Sequence, residues 1–93
     1  TGPAALSFTE VAAQLSEGLG KSVRYVAVPP AAARKSMLEM GMSSWLVGMM
    51  TEYSTAYAAD WGAFTTSVVP DILGRPARSL LDFARDHRAA FGA

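Results

Sequence analysis

Trp45, Met49, Tyr53, Tyr57 and Trp61 recur every four residues, and residues four apart share one face of a helix. A helix over this stretch lines up two indoles, two phenols and a thioether. Such a row suits the wall of an apolar pocket for a planar or aliphatic substrate. Rings supply apolar area, phenol hydroxyls orient a ligand, and methionine adapts to its shape. The same stripe also suits the packed core of a small helical domain, and the residue types leave both readings open. His87 is the sole imidazole. It falls on the apolar side of the last helix with Leu80 and Phe83, and its neighbour Asp86 points about 100° away around that helix. A catalytic base wants a carboxylate to hold it, so a packed histidine with one hydrogen bond is the expectation. With one histidine and no cysteine, no metal site is expected. Glu39, Glu52 and Asp60 are acid/base candidates that nothing marks as buried. Arg24 and Arg75 are candidates for an anionic group, with a solvated role expected. No catalytic residue is assigned.

The elements that position these residues are legible from caps and periods. Ser7 and Glu10 form a capping box ahead of Phe8, Val11, Ala12, Leu15 and Leu19, which recur at helical spacing, and Gly20 closes that helix. Ser22–Val28 changes to residue types that suit a strand, and Pro29-Pro30 ends it. Ala31–Met40 reads as a second helix stopped by Gly41. Ser43 or Ser44 caps a third, running to about Asp60, in which Gly48 permits a close backbone approach between two apolar ridges. Trp61-Gly62 breaks it. Phe64–Val69 is rich in β-branched residues and reads as a short second strand. Pro70–Leu73 makes a turn of helix, Gly74-Arg75-Pro76 a loop, and Ser79 with Asp82 caps the last helix.

The chain has 93 residues, 51% hydrophobic and 17% charged, a globular composition sized for one domain. Eight basic and eight acidic residues cancel. No basic stripe is present, and phosphate neutralisation supplies most nucleic-acid affinity, so nucleic acid is not an expected partner. Apolar runs are too short to span a membrane and no secretion leader is visible. The lack of cysteine makes a cytoplasmic location the expectation.

The chain resembles the C-terminal portion of an NmrA-like, atypical short-chain dehydrogenase/reductase. The residues that carry the likeness are TGPAALSFTEVAAQLSEGLGKSVRYVAVPP at the start and LGRPARSLLDFARDH near the end, with the Met/aromatic helix between them. In that family an N-terminal Rossmann domain carries NAD or NADP, and a smaller, mostly helical region closes over the nicotinamide and shapes the substrate pocket. The resemblance implies an α/β, mostly helical fold: four to five helices with one or two short strands, residues 1–93 forming a single substrate-binding-type domain. It also implies that the dinucleotide-binding half is absent from this chain. The sequence agrees on that point. It has no G-x-G-x-x-G after a strand, and Gly18 and Gly20 end a helix instead of opening one. It has no Tyr-x-x-x-Lys pair either. The cofactor, NADP or NAD, would then come through a partner domain and none would bind this chain alone.

The strand sharpens this expectation. Both of its faces are largely apolar, and few other strands are on offer. Burying three such side chains is worth about 5 kcal/mol, against a total stability of about 5–15 kcal/mol for a domain. Three arrangements resolve the mismatch: joining the sheet of a Rossmann domain, pairing with Phe64–Val69, or sharing strands in a homodimer. The expected function is the substrate-binding half of an NAD(P)-dependent oxidoreductase with a small apolar substrate. The alternative is a non-enzymatic binding or regulatory module acting through protein–protein contacts.

Overall fold

Ser7 opens α1, Phe8–Leu19. Its hydroxyl accepts the Glu10 N–H at 3.1 Å, which satisfies one of the free amides of the first turn. The Glu10 carboxylate accepts the Ser7 hydroxyl at 3.2 Å. The expected box is therefore closed between the two side chains. Gly20 ends the helix at φ 68°, and its N–H returns to the Ser16 carbonyl at 3.0 Å. The computed structural model describes Thr1–Gly92 and shows five α-helices and no strand among those residues. After α1 come α2 (Pro30–Glu39), α3 (Ser44–Ala58), α4 (Val68–Leu73) and α5 (Leu80–Asp86), with a short turn of tighter helix at Arg88–Phe91. The mostly helical class stands as expected; both strands do not.

Each missing strand has a physical reason. Ser16, on α1, accepts the Val23 N–H at 2.9 Å, and its hydroxyl lies 2.9 Å from the Val23 carbonyl. The same hydroxyl lies 2.8 Å from the Ala12 carbonyl, so its one proton is shared, while its oxygen takes the Val23 N–H that a ladder would have used. The chain beyond it, through Val28, lies without ladder partners among the described residues, with Tyr25, Val26 and Val28 exposed. An isolated two-stranded ribbon is marginal in water, and the second segment does not supply even that. Phe64–Val69 gives its last two residues to α4. Pro70 there falls in the first helical turn, where its missing N–H has no partner to lose. The start signal of Pro70-Asp71 outweighs the strand preference of the β-branched residues before it. Pro30 plays the same part in α2, where it is the first helical residue instead of only the end of a strand.

The chain divides into two compact units, one of Thr1–Tyr25 with Phe64–Ala93 and one of Val26–Ala63. In the first, α1 packs on α5. Gly18 is buried at the contact, and a Cβ placed on it would lie 2.7 Å from the Ala84 Cβ and 3.1 Å from the Leu81 carbonyl oxygen. Gly18 therefore belongs to the interior of α1, as the point of closest approach; Gly20 alone ends the helix. Ala12, Leu19 and Ala84 form the buried centre. Around the rim Lys21 Nζ donates to the Phe91 carbonyl at 2.9 Å, and Arg85 meets Glu17 at 3.5 Å.

In the second unit α2 and α3 form a hairpin. Gly41 turns at φ 90°, the Met42 N–H reaches the Met37 carbonyl at 3.2 Å, and the Gly41 N–H reaches Leu38 at 3.1 Å. This pair of bonds is a Schellman motif. Ser43 then caps α3 by accepting the Leu46 N–H at 3.2 Å. Val47 is fully buried. The close approach expected at Gly48 is not there: a Cβ on it would meet nothing within 4 Å.

Candidate functional site

α3 carries four of the five residues singled out above, and its C-terminal turn places the fifth. The helix does not break at Trp61-Gly62. It turns at Asp60, which adopts φ 64°, a left-handed conformation that aspartate tolerates better than most side chains. The Trp61 N–H returns to the Ala56 carbonyl at 3.1 Å and the Asp60 N–H to Tyr57 at 3.1 Å. This second Schellman turn folds Trp61 back onto its own helix. Its ring meets Tyr57 edge to face at 5.4 Å, and Tyr57 stacks on Tyr53 at 6.4 Å.

Three rings of the row, Tyr53, Tyr57 and Trp61, therefore form one contacting cluster, and the row is exposed. Trp45 is 74% accessible, Tyr53 50%, Tyr57 56% and Trp61 63%, while Met49 is half-buried. Core packing does not describe these rings in this chain. The contacts among Tyr53, Tyr57 and Trp61 lie at distances normal for favourable aromatic pairs, and Trp45 stands apart from them. Ala56 is half-buried and Glu52 exposed beside the row.

The other candidates lie apart from one another. His87 ends α5 and rests against Phe83, ring centroids 4.5 Å apart, in an exposed position. Asp86 faces Arg78 at 3.8 Å. Glu39, Glu52 and Asp60 are all exposed, as are Arg24 and Arg75. No group of three or more histidine or acidic side chains among the described residues is placed to hold a metal ion. Two half-open hollows, about 420 and 550 Å³, both belong to the first unit. Leu6, Gln14, Leu80 and Phe83 line the smaller; Thr65, Thr66 and Pro70 help line the larger. The aromatic row contributes to neither. Among the described residues, no helix is long and apolar enough to cross a membrane.

The chain is similar over its whole length to an NAD(P)H azoreductase. That protein, from Xenophilus azovorans, is 46% identical across all 93 residues. A second relative, prestalk A differentiation protein A of Dictyostelium discoideum, is 28% identical over 86 residues, 92% of the chain. The chain spans about a third of the length of each, 32% and 29% respectively. No protein-family model matches it.

The α1 glycines are not placed to cradle a pyrophosphate. A bound pyrophosphate wants a helix N-terminus reached through glycine backbone. Here α1 opens on Ser7, whose side chain already occupies the first-turn Glu10 amide, and the Glu10 carboxylate sits beside it. Gly18 is buried in the α1–α5 contact and Gly20 closes a helix. Sequence reasoning found the aromatic row and missed the residue that completes it. The available signal was Asp60 itself, one of the few side chains that can take a left-handed turn at a helix end.

Proposed function

We propose that this chain is the substrate-side part of an NAD(P)H-dependent oxidoreductase of the NmrA-like, short-chain dehydrogenase/reductase kind. Its 46% identity, over every residue, to a protein named as an NAD(P)H azoreductase carries the reading. Residues 1–93 act as the substrate-binding part, and a Rossmann domain outside this chain holds NADP or NAD. The dinucleotide supplies the hydride when bound to that domain. This chain's contribution is apolar surface and orientation. The row of Trp45, Met49, Tyr53, Tyr57 and Trp61 faces a small apolar substrate over the nicotinamide, and the Tyr53 and Tyr57 hydroxyls orient it. The exposure of that row supports the reading, because a surface this apolar is costly to leave in water. The weaker likeness to a differentiation protein does not displace it.

The test is to combine the chain with the Rossmann part of such a reductase and follow oxidation of NADH and NADPH with quinone, carbonyl and azo acceptors. Turnover that requires both parts, and that falls roughly tenfold or more in Tyr57→Ser with Trp61→Ser, is the expected result. A stable complex with no turnover on any acceptor would overturn the enzymatic reading.

A further inference from the structure

All five methionines of the chain fall between residues 37 and 50, in the α2–α3 hairpin, and the other unit has none. Their environments are graded. Met40 is 79% exposed at the end of α2 and Met50 40% exposed on α3, whereas Met37, Met42 and Met49 are half-buried. Met37 and Met42 also occupy the two positions of the Schellman turn between which a hydrophobic contact commonly forms. Nothing else in the chain concentrates oxidisable side chains in this way, since cysteine is absent.

We infer that the α2–α3 hairpin is a methionine-oxidation site, entered at Met40, that responds in two steps to hydroperoxides. In each event the thioether sulfur attacks one peroxide oxygen and the O–O bond breaks. The sulfur is oxidised to a sulfoxide, and the hydroperoxide is reduced to water or the alcohol. Susceptibility follows exposure. The first step modifies Met40 and then Met50, both outward-facing, and leaves the hairpin folded. The second modifies the half-buried Met37, Met42 and Met49 and makes the two apolar positions of the turn polar, which frays the turn between α2 and α3. A thioether becomes a polar group at each event. The apolar surface of this unit thus shrinks before its fold is lost. The inference rests on the placement of the methionines and not on the proposed reductase role.

The experiment is timed exposure of the polypeptide to hydrogen peroxide, with oxidation mapped by peptide mass spectrometry and helix content followed by circular dichroism. Met40 is expected to react roughly tenfold faster than Met37, Met42 and Met49, with Met50 between. Helix content should hold through the first phase and fall in the second. A Met37→Leu/Met42→Leu variant keeps the turn apolar and unoxidisable, and should retain its helix content under excess peroxide. Methionine sulfoxide reductases should restore the wild-type chain. Equal rates at all five positions would sink the idea, as would helix loss in the first phase or loss that persists in the double variant.

Discussion

In the unit built on α1 and α5, glycine sits where two helices touch; in the unit built on α2 and α3, glycine sits where nothing does. At Gly18 the next helix stands 2.7 Å from where a Cβ would be, and at Gly48 the space is open to 4 Å. The side chains differ less simply. The first unit buries Leu19, Ala12 and Ala84 yet leaves Phe8, Phe64 and Ile72 exposed, while the second buries Val47 and leaves Trp45, Tyr53, Tyr57 and Trp61 exposed. What sets the second apart is that its exposed rings follow one helix and its end, with Tyr53, Tyr57 and Trp61 in mutual contact and a left-handed turn at Asp60. Glycine near large apolar residues thus says little by itself; the facing element decides whether it is a contact or only a weak point in a helix.

The contrast breaks most sharply at Gly18. Gly18→Val puts a branched side chain into the Ala84 contact and against the Leu81 backbone, which cannot yield as a side-chain tip can. Overpacking of this kind costs about 1–3 kcal/mol, and the upper end is expected. Urea unfolding should show it as a lowered midpoint. The next largest effect is at Ser16. Ser16→Ala removes the acceptor of the Val23 N–H, at a cost of about 1–2 kcal/mol for a part-buried donor left unpaired. Amide exchange at Val23 should quicken more than the global stability change accounts for.

These two residues also mark how far the sequence could be read. α1 was legible to the residue, because Ser7, Glu10 and Gly20 are local signals whose chemistry acts within one turn. Ser79 marked the start of α5 for the same reason, while Ser43 and Ser44 left the start of α3 open by one residue until the structure placed the cap at Ser43. The strands were misread because β-branched residues report fitness for a pleated surface, not the presence of a partner strand. Whether Val23 finds a strand or the Ser16 hydroxyl depends on residues seven apart folding back on each other, which no local pattern encodes. Gly18 was read as a helix end because only the arrival of Ala84, far along the chain, gives it a different job. The aromatic row was legible as a row from its period of four. Its exposure was not, since core and surface stripes share that period.

Within the second unit the turn comes next in size. Asp60→Val places a β-branched residue at φ 64°, where such side chains are true outliers. A loss of about 1–2 kcal/mol is expected, with Trp61 released from Tyr57 and its fluorescence shifted toward that of a solvated indole. Gly48→Ala should act in the opposite direction. With nothing to meet the new methyl, the helix gains up to about 1 kcal/mol from propensity, and the unfolding midpoint rises. Gly18→Ala has the same propensity gain available but meets Ala84, so the pair of alanine variants separates the two environments by sign.

The smallest stability effect is expected where the functional consequence is largest. Trp61→Ser removes a side chain that is 63% exposed and whose one ring contact is edge to face with Tyr57 at 5.4 Å. Such a contact is worth about 0.5–1.5 kcal/mol when well buried. Exposure moves the expected loss to about 0.5 kcal/mol or less, within the usual range for surface changes. A residue kept for packing should show the reverse pattern, with stability falling and binding untouched. If Trp61→Ser weakens capture of apolar ligands or of a nucleotide-binding domain several-fold while the unfolding midpoint stays in place, the outward aromatic face is held for what it meets. If stability drops by about 2 kcal/mol or more and binding follows only in proportion, the row is structural and the contrast between the two units fails.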